Sequence, residues 1–302
     1  PDSVTSIGRY AFNVCNSLTS VTIPDSVTSI GGYAFYSCYN LSNIVIPDSV
    51  TSVGDCVFSG CSRLTSVTIP DSVASIGSYV FNGCNSLTSV TIPDSVTSIG
   101  QGAFVGCESL VAINVSENNN AFSSGEGVLF NKDKTHLVQY PVRKENSEYS
   151  IPDSVTSIGN SAFNGCGNLS SITIPDSVTS IGEYVFSGCN SLTSVTIPDS
   201  VTSIGEYAFG ECSSLTNVYY SSSESDWNNI LIDSRGNSYL MSATIHFIID
   251  EWKYEIKNNE VCINGYIGNK TDIAIPETIE GYPVTSIDSR AFYGCSSLSS
   301  VT

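Results

Sequence analysis

The side chains able to do chemistry form three sets: eleven cysteines, two histidines and a series of aspartates that each follow a proline. Thiolates grouped with imidazoles would bind a soft metal, a thiol or hydroxyl beside an imidazole would act as a nucleophile, and converging carboxylates would take a hard cation. The spacing argues against all three. No C-x-x-C occurs, and His136 and His246 lie 110 residues apart with no nucleophile motif around either. Asp2, Asp25, Asp48, Asp71, Asp94, Asp153, Asp176 and Asp199 recur singly, where calcium needs several oxygens at one place, so they read as turn-capping residues. No catalytic residue, metal site or cofactor is expected.

The cysteines repay a closer look. Nine of them, Cys15, Cys38, Cys61, Cys84, Cys107, Cys166, Cys189, Cys212 and Cys295, occupy one position of a repeated unit, while Cys56 and Cys262 do not. In a stack of identical units they form an interior column, each standing where a small apolar residue would. Strands about 4.8 Å apart would bring neighbouring Cα atoms within disulfide range. Stacked equivalents point the same way, however, and nothing favours one neighbour over the other, so the column is expected to hold free buried thiols.

The unit itself is set by Pro-Asp-Ser at Pro1, Pro24, Pro47, Pro70 and Pro93, then at Pro152, Pro175 and Pro198, with a spacing of 23 within each block. In the first copy the apolar positions are Val4, Ile7, Ala11, Phe12, Cys15, Leu18, Val21 and Ile23. Alternation over Val21, Thr22 and Ile23 predicts a short half-buried strand, which the following proline ends because it lacks a ladder donor. A second short extended piece runs to Gly31, and the spacing of Ala34, Phe35, Cys38 and Leu41 predicts a tight helical turn. One unit cannot bury its own apolar side, so the units must stack. The fold class is therefore an α/β repeat solenoid, a right-handed superhelix with one short parallel strand per 23-residue rung, a second extended segment and a short helical turn.

Leu18, Val21 and Ile23 match the L-x-x-L-x-L core of leucine-rich repeats, and the whole unit resembles the BspA-like branch of that superfamily. About eight full copies and a degenerate ninth carry the resemblance. It implies a secreted or cell-surface protein that binds other proteins or adheres to host or neighbouring cells.

Two interruptions divide the chain into blocks 1–115, 116–151, 152–218, 219–275 and 276–302. In the first interruption Gly127 to Pro141 predicts a hairpin around a polar Asn131 to Thr135 turn, with Lys132 and Lys134 as a guarded edge or as contacts for an acidic partner. The second contains Trp227 and Trp252, with strands from Trp252 and from Val261 joined by a short polar turn. Either tryptophan is a candidate contact, and Trp227 a candidate stacking platform for carbohydrate. The last block, from Pro276, restores the pattern with five added residues before Val284.

The outward strand positions define the candidate binding face: Ser20, Thr22, Asn43, Ser66, Thr68, Ser89, Thr91, Asn114, Ser171, Thr173, Ser194, Thr196, Asn217 and Tyr219. This face is rich in hydroxyls and poor in the aromatic and arginine side chains that concentrate binding energy. A formal charge of −18 disfavours nucleic acid, and no apolar run is long enough to insert in a membrane. The expected role is a monomeric, non-enzymatic binder of a protein partner at the cell surface or in the extracellular matrix. A passive spacer that presents another domain is the alternative, and both ends enter the pattern partway, as in a fragment or processed form.

Overall fold

The computed structural model describes residues 2–249, 251–268 and 270–302. Each rung contributes to two files of short parallel strands, and the 23-residue period reappears as their register: Ser52 pairs with Ser75 and Ser75 with Ser98 in one file, Ser171 with Ser194 and Ser194 with Asn217 in the other. Ser66–Thr68 has its Val67 buried and both hydroxyl residues exposed, as period-two alternation requires.

Between the two files the Pro-Asp-Ser-Val turn closes through the main chain, with Val50 N donating to Pro47 O at 3.0 Å. The serine then ties this turn to the rung before it: Ser72 Oγ donates to Val50 O at 2.6 Å and Ser95 Oγ to Val73 O at 2.8 Å. This corrects the expectation for the aspartates. Asp48, Asp71 and Asp94 stand exposed and cap nothing among the described residues, because a main-chain bond and the neighbouring hydroxyl already fill the role.

The expected helical turn takes the form of successive i to i+3 turns, such as Ala34 N to Gly31 O at 3.2 Å and Cys38 N to Phe35 O at 3.2 Å. Two left-handed residues per rung, Tyr79 (φ 56) and Gly83 (φ 68) in one case, break any continuous helix. They also turn alternate amides toward the following rung. Tyr79, Phe81 and Gly83 donate to Gln101 O, Ala103 O and Val105 O at 3.0, 2.9 and 2.9 Å. The only helices among the described residues are Glu224–Trp227 and Ser238–Ser242.

Inside, Phe35, Phe58, Phe81 and Phe104 stack at 5.7 to 5.8 Å between ring centres. The cysteine column lies beside them, and its thiols point at main-chain oxygen. Cys61, Cys84 and Cys107 donate to the carbonyls of Phe35, Phe58 and Phe81 at 3.2, 3.3 and 3.1 Å. Burial pushes the Cys61 and Cys107 thiols up to about 12.

The first interruption is built into the stack. Its predicted hairpin forms the inner two strands of a three-stranded meander, Phe122–Gly125, Val128–Asn131 and His136–Gln139, whose last strand pairs in parallel with Ser157–Ile158. The extra strand escaped notice because Phe122–Gly125 reads as loop composition. Tyr140 takes the phenylalanine position and stacks on Phe163 at 5.0 Å. The apolar interior nevertheless divides within this segment into two clusters, with Leu129 on the earlier one and Val128, Phe130, Leu137 and Tyr140 on the later.

Through the second interruption one sheet runs unbroken. Asn217–Tyr220 pairs in parallel with Thr244–Ile249, which pairs antiparallel with Trp252–Lys257, and that strand with Glu260–Tyr266. Asn258 and Asn259, both at positive φ (53 and 63), form the two-residue turn.

Candidate functional site

The outward strand face begins as a hydroxyl file: Ser20, Thr22, Asn43, Ser66, Thr68, Ser89, Thr91, Asn114 and Thr173 are exposed, and Ser171, Ser194 and Thr196 partly so. Its character changes at Asn217 and Tyr219. Thr244–Ile249 continues the ladder, pairing Tyr219 with His246, while Val218 and Phe247 point into the core.

The two rings stack at 4.9 Å with 22° between planes, and Lys253 Nζ lies 5.0 Å above the Tyr219 ring centre. His246 is held at both nitrogens: Nε2 donates to Asn217 Oδ1 at 2.8 Å, and Nδ1 accepts from Asn264 Nδ2 at 2.7 Å. That pattern belongs to the neutral imidazole. Burial is the main cause that lowers its pKa, with Lys253 and Lys257 adding to it against the opposing pull of Glu255 and Asp288. Around the pair lies a polar depression of about 480 Å³, bordered by Arg290 and by Tyr293, which is 85% exposed.

The arrangement offers ring faces, a cation and hydrogen-bonding groups to solvent. An imidazole clamped between two amides has no free nitrogen to take a proton from a substrate, and Glu255 is held by Lys257 Nζ at 2.8 Å. His136, in the other interruption, has its Nδ1 on the Ser157 hydroxyl at 2.8 Å and a pKa lowered by burial. Among the described residues no group of three His, Cys, Asp or Glu could hold a metal ion, and no helix is long and apolar enough to cross a membrane.

The other expected contacts are placed as follows. Trp252 is corrected: at 8% exposure it packs on Tyr266 and Phe292, at 5.1 and 6.2 Å, because its strand turns that side chain into the core. Trp227 is half-buried with its ring edge-on to Tyr220 at 5.3 Å. Lys132 donates to Asn119 O, whereas the Lys134 side chain stands exposed. Lys253, His246, Asn264 and Arg290 were missed. The signal for His246 lay in the alternation of Ile245, Phe247 and Ile249, which marks it as the outward residue of a further strand.

A family model of the BspA type leucine rich repeat region matches residues 1–111, 143–254 and 266–302, in six copies. The chain belongs to the BspA-type leucine-rich repeat family. Among solved structures it is similar to a leucine-rich repeat protein from Eubacterium ventriosum, at 26% identity over 99% of this chain and 78% of that one, with a TM-score of 0.64. The pneumococcal vaccine antigen PcpA shares the fold at 21% identity, over 99% of this chain and 84% of its own, also with a TM-score of 0.64. No curated protein matches.

Proposed function

We propose that this BspA-type chain is a non-enzymatic protein-binding module, displayed outside the cell or on its surface, that adheres to a host or neighbouring-cell protein. The observation that carries this reading is the Tyr219–His246 stack with Lys253 over it, set on the strand face in line with the hydroxyl file. His246 is held by its two hydrogen bonds and Tyr219 by stacking on it, so the pair loses little freedom on binding, and tyrosine is among the residues that dominate binding energy at protein interfaces. The Ser and Thr file extends the contact without adding charge. Family membership supports the surface role.

The test is surface plasmon resonance of the chain, as a monomer, against purified extracellular-matrix and cell-surface proteins. Saturable binding that falls about tenfold or more in Tyr219→Ala, a loss of roughly 1.4 kcal/mol, supports the reading. Absence of binding across the panel at high micromolar concentration leaves the passive-spacer role instead.

A further inference from the structure

The first interruption leaves one rung two residues short. Every regular rung places four residues between its second-strand isoleucine or valine and its phenylalanine, for example Gly100 to Ala103 between Ile99 and Phe104, or Gly159 to Ala162 between Ile158 and Phe163. In the intervening rung Leu137 pairs with Ile158 and Tyr140 stacks on Phe163, so only Val138 and Gln139 lie between. The part of the turn that should lie over Gly100 to Phe104 is missing. A crevice of about 380 Å³ takes its place, with Gln101, Gly102 and Phe104 on one wall and His136, Val138 and Asn160 on the other.

The main chain on the first wall is unfinished. Tyr79, Phe81 and Gly83 each donate to the next rung, and Ser161, Phe163 and Gly165 do so beyond the interruption. Among the described residues Gly102, Phe104 and Gly106 have no such acceptor, and Ile99 O, like Ile158 O, receives no bond of the kind that Ile76 O takes from Gly100 N at 2.8 Å. Where this file of amides ends at the second interruption, two of its three members are met: Arg235 O accepts from Tyr207 N at 2.8 Å and Asn237 Oδ1 from Phe209 N at 2.9 Å. Phe104 is 1% exposed, and an orphaned buried amide is rare enough to call for a partner.

We infer that this crevice is a docking site for a short, uncharged peptide segment supplied by a partner protein, which completes the broken ladder by taking the place of the missing part of the turn. The amides of Gly102 and Phe104 alternate along the chain as those of Tyr79 and Phe81 do toward the carbonyls of the next rung's turn, and with Ile99 O they offer two donors and an acceptor to an added segment. The lining fixes the chemistry of the occupant. No charged side chain faces the crevice, Gln139 Nε2 is spent on Tyr140 O and Ala162 O, and Asn160 Oδ1 accepts from Glu183 N. This site is separate from the strand-face cluster and does not depend on it.

The probe is a peptide with blocked ends and the sequence SVTSIGNSAF, residues 154–163, an uncharged rung segment. Amide exchange followed by NMR should show Gly102 and Phe104 exchanging at least about tenfold faster than Tyr79 and Phe81 in the free chain, and slowing as peptide is added. Gln101→Trp, which fills the crevice from its exposed rim, should abolish the peptide effect, whereas Gln101→Ala should retain it; thermal melts establish that both variants fold. Phe104 as protected as Phe81 in the free chain would overturn the proposal. So would unchanged exchange at about 1 mM peptide, which would make the crevice a water-filled gap, or a peptide effect that survives in folded Gln101→Trp.

Discussion

Cys84 Sγ donates to Phe58 O, 26 residues earlier and 3.3 Å away, an oxygen that already accepts the Cys61 amide at 3.0 Å. The column therefore supplies donors to carbonyls inside the core, which alanine of similar size would not. Cys84→Ala should cost about 1–2 kcal/mol, from the lost bond and the small void. Cys84→Ser keeps the donor and should cost less than alanine, as measured by urea denaturation.

Thiol reactivity follows from the same placement. Cys15 is exposed and should react rapidly with a disulfide reagent in the folded chain, Cys262 and Cys295 more slowly, and the buried members only on unfolding. The column also sets an alkaline limit. Unfolded thiols titrate near 9.0, whereas burial holds Cys61 and Cys107 at about 12. A raised folded value means that this contribution is complete below pH 9 and is lost as pH climbs toward 12. Unfolding midpoints should fall over that window, and a midpoint that rises between pH 9 and 11 contradicts the assignment.

Neighbouring residues of the Pro-Asp-Ser turn should behave oppositely. Ser72→Ala deletes the 2.6 Å bond to Val50 O and should destabilise by about 1 kcal/mol. Asp71→Asn removes a charge that makes no bond and stands between Asp48 and Asp94. It should be neutral or stabilising by a few tenths of a kcal/mol, more so at low salt. Equal losses in the two variants would restore a capping role to the aspartate.

His246 should titrate below its ordinary 6.5, because burial disfavours the charged ring and Asn264 donates to its Nδ1, which a protonated ring could not accept. With a depressed folded value, the stability it contributes is present above pH 6.5 and is lost as pH falls through the folded pKa. The imidazole proton shifts in NMR give the midpoint directly. A value at or above 6.5 contradicts the clamp.

The rungs were legible because every apolar position in them recurs: Phe35, Phe58 and Phe81 could be stacked from spacing alone. The tie from Ser72 to Val50 O was not, since Ser after Pro-Asp also suits an isolated turn, and only the neighbouring rung shows which acceptor it meets. The strand-face cluster was hidden for a different reason. Thr244–Ile249 follows Asn217–Tyr220 at a spacing of 27 residues instead of 23, so a search by period loses the strand although the ladder keeps it. Trp252 was read as a contact because sequence gives a lone aromatic no address. Its burial depends on Phe292, 40 residues away.

The most direct test of the account is an exchange footprint of the chain bound to whichever surface protein it captures, since the central claim places affinity at one end of the strand face. Protection should center on 217–220, 244–247 and 290–293 and be lost with binding in Tyr219→Ala. Protection confined to the hydroxyl file between Ser20 and Asn114, with Tyr219→Ala binding as well as the parent chain, would contradict it.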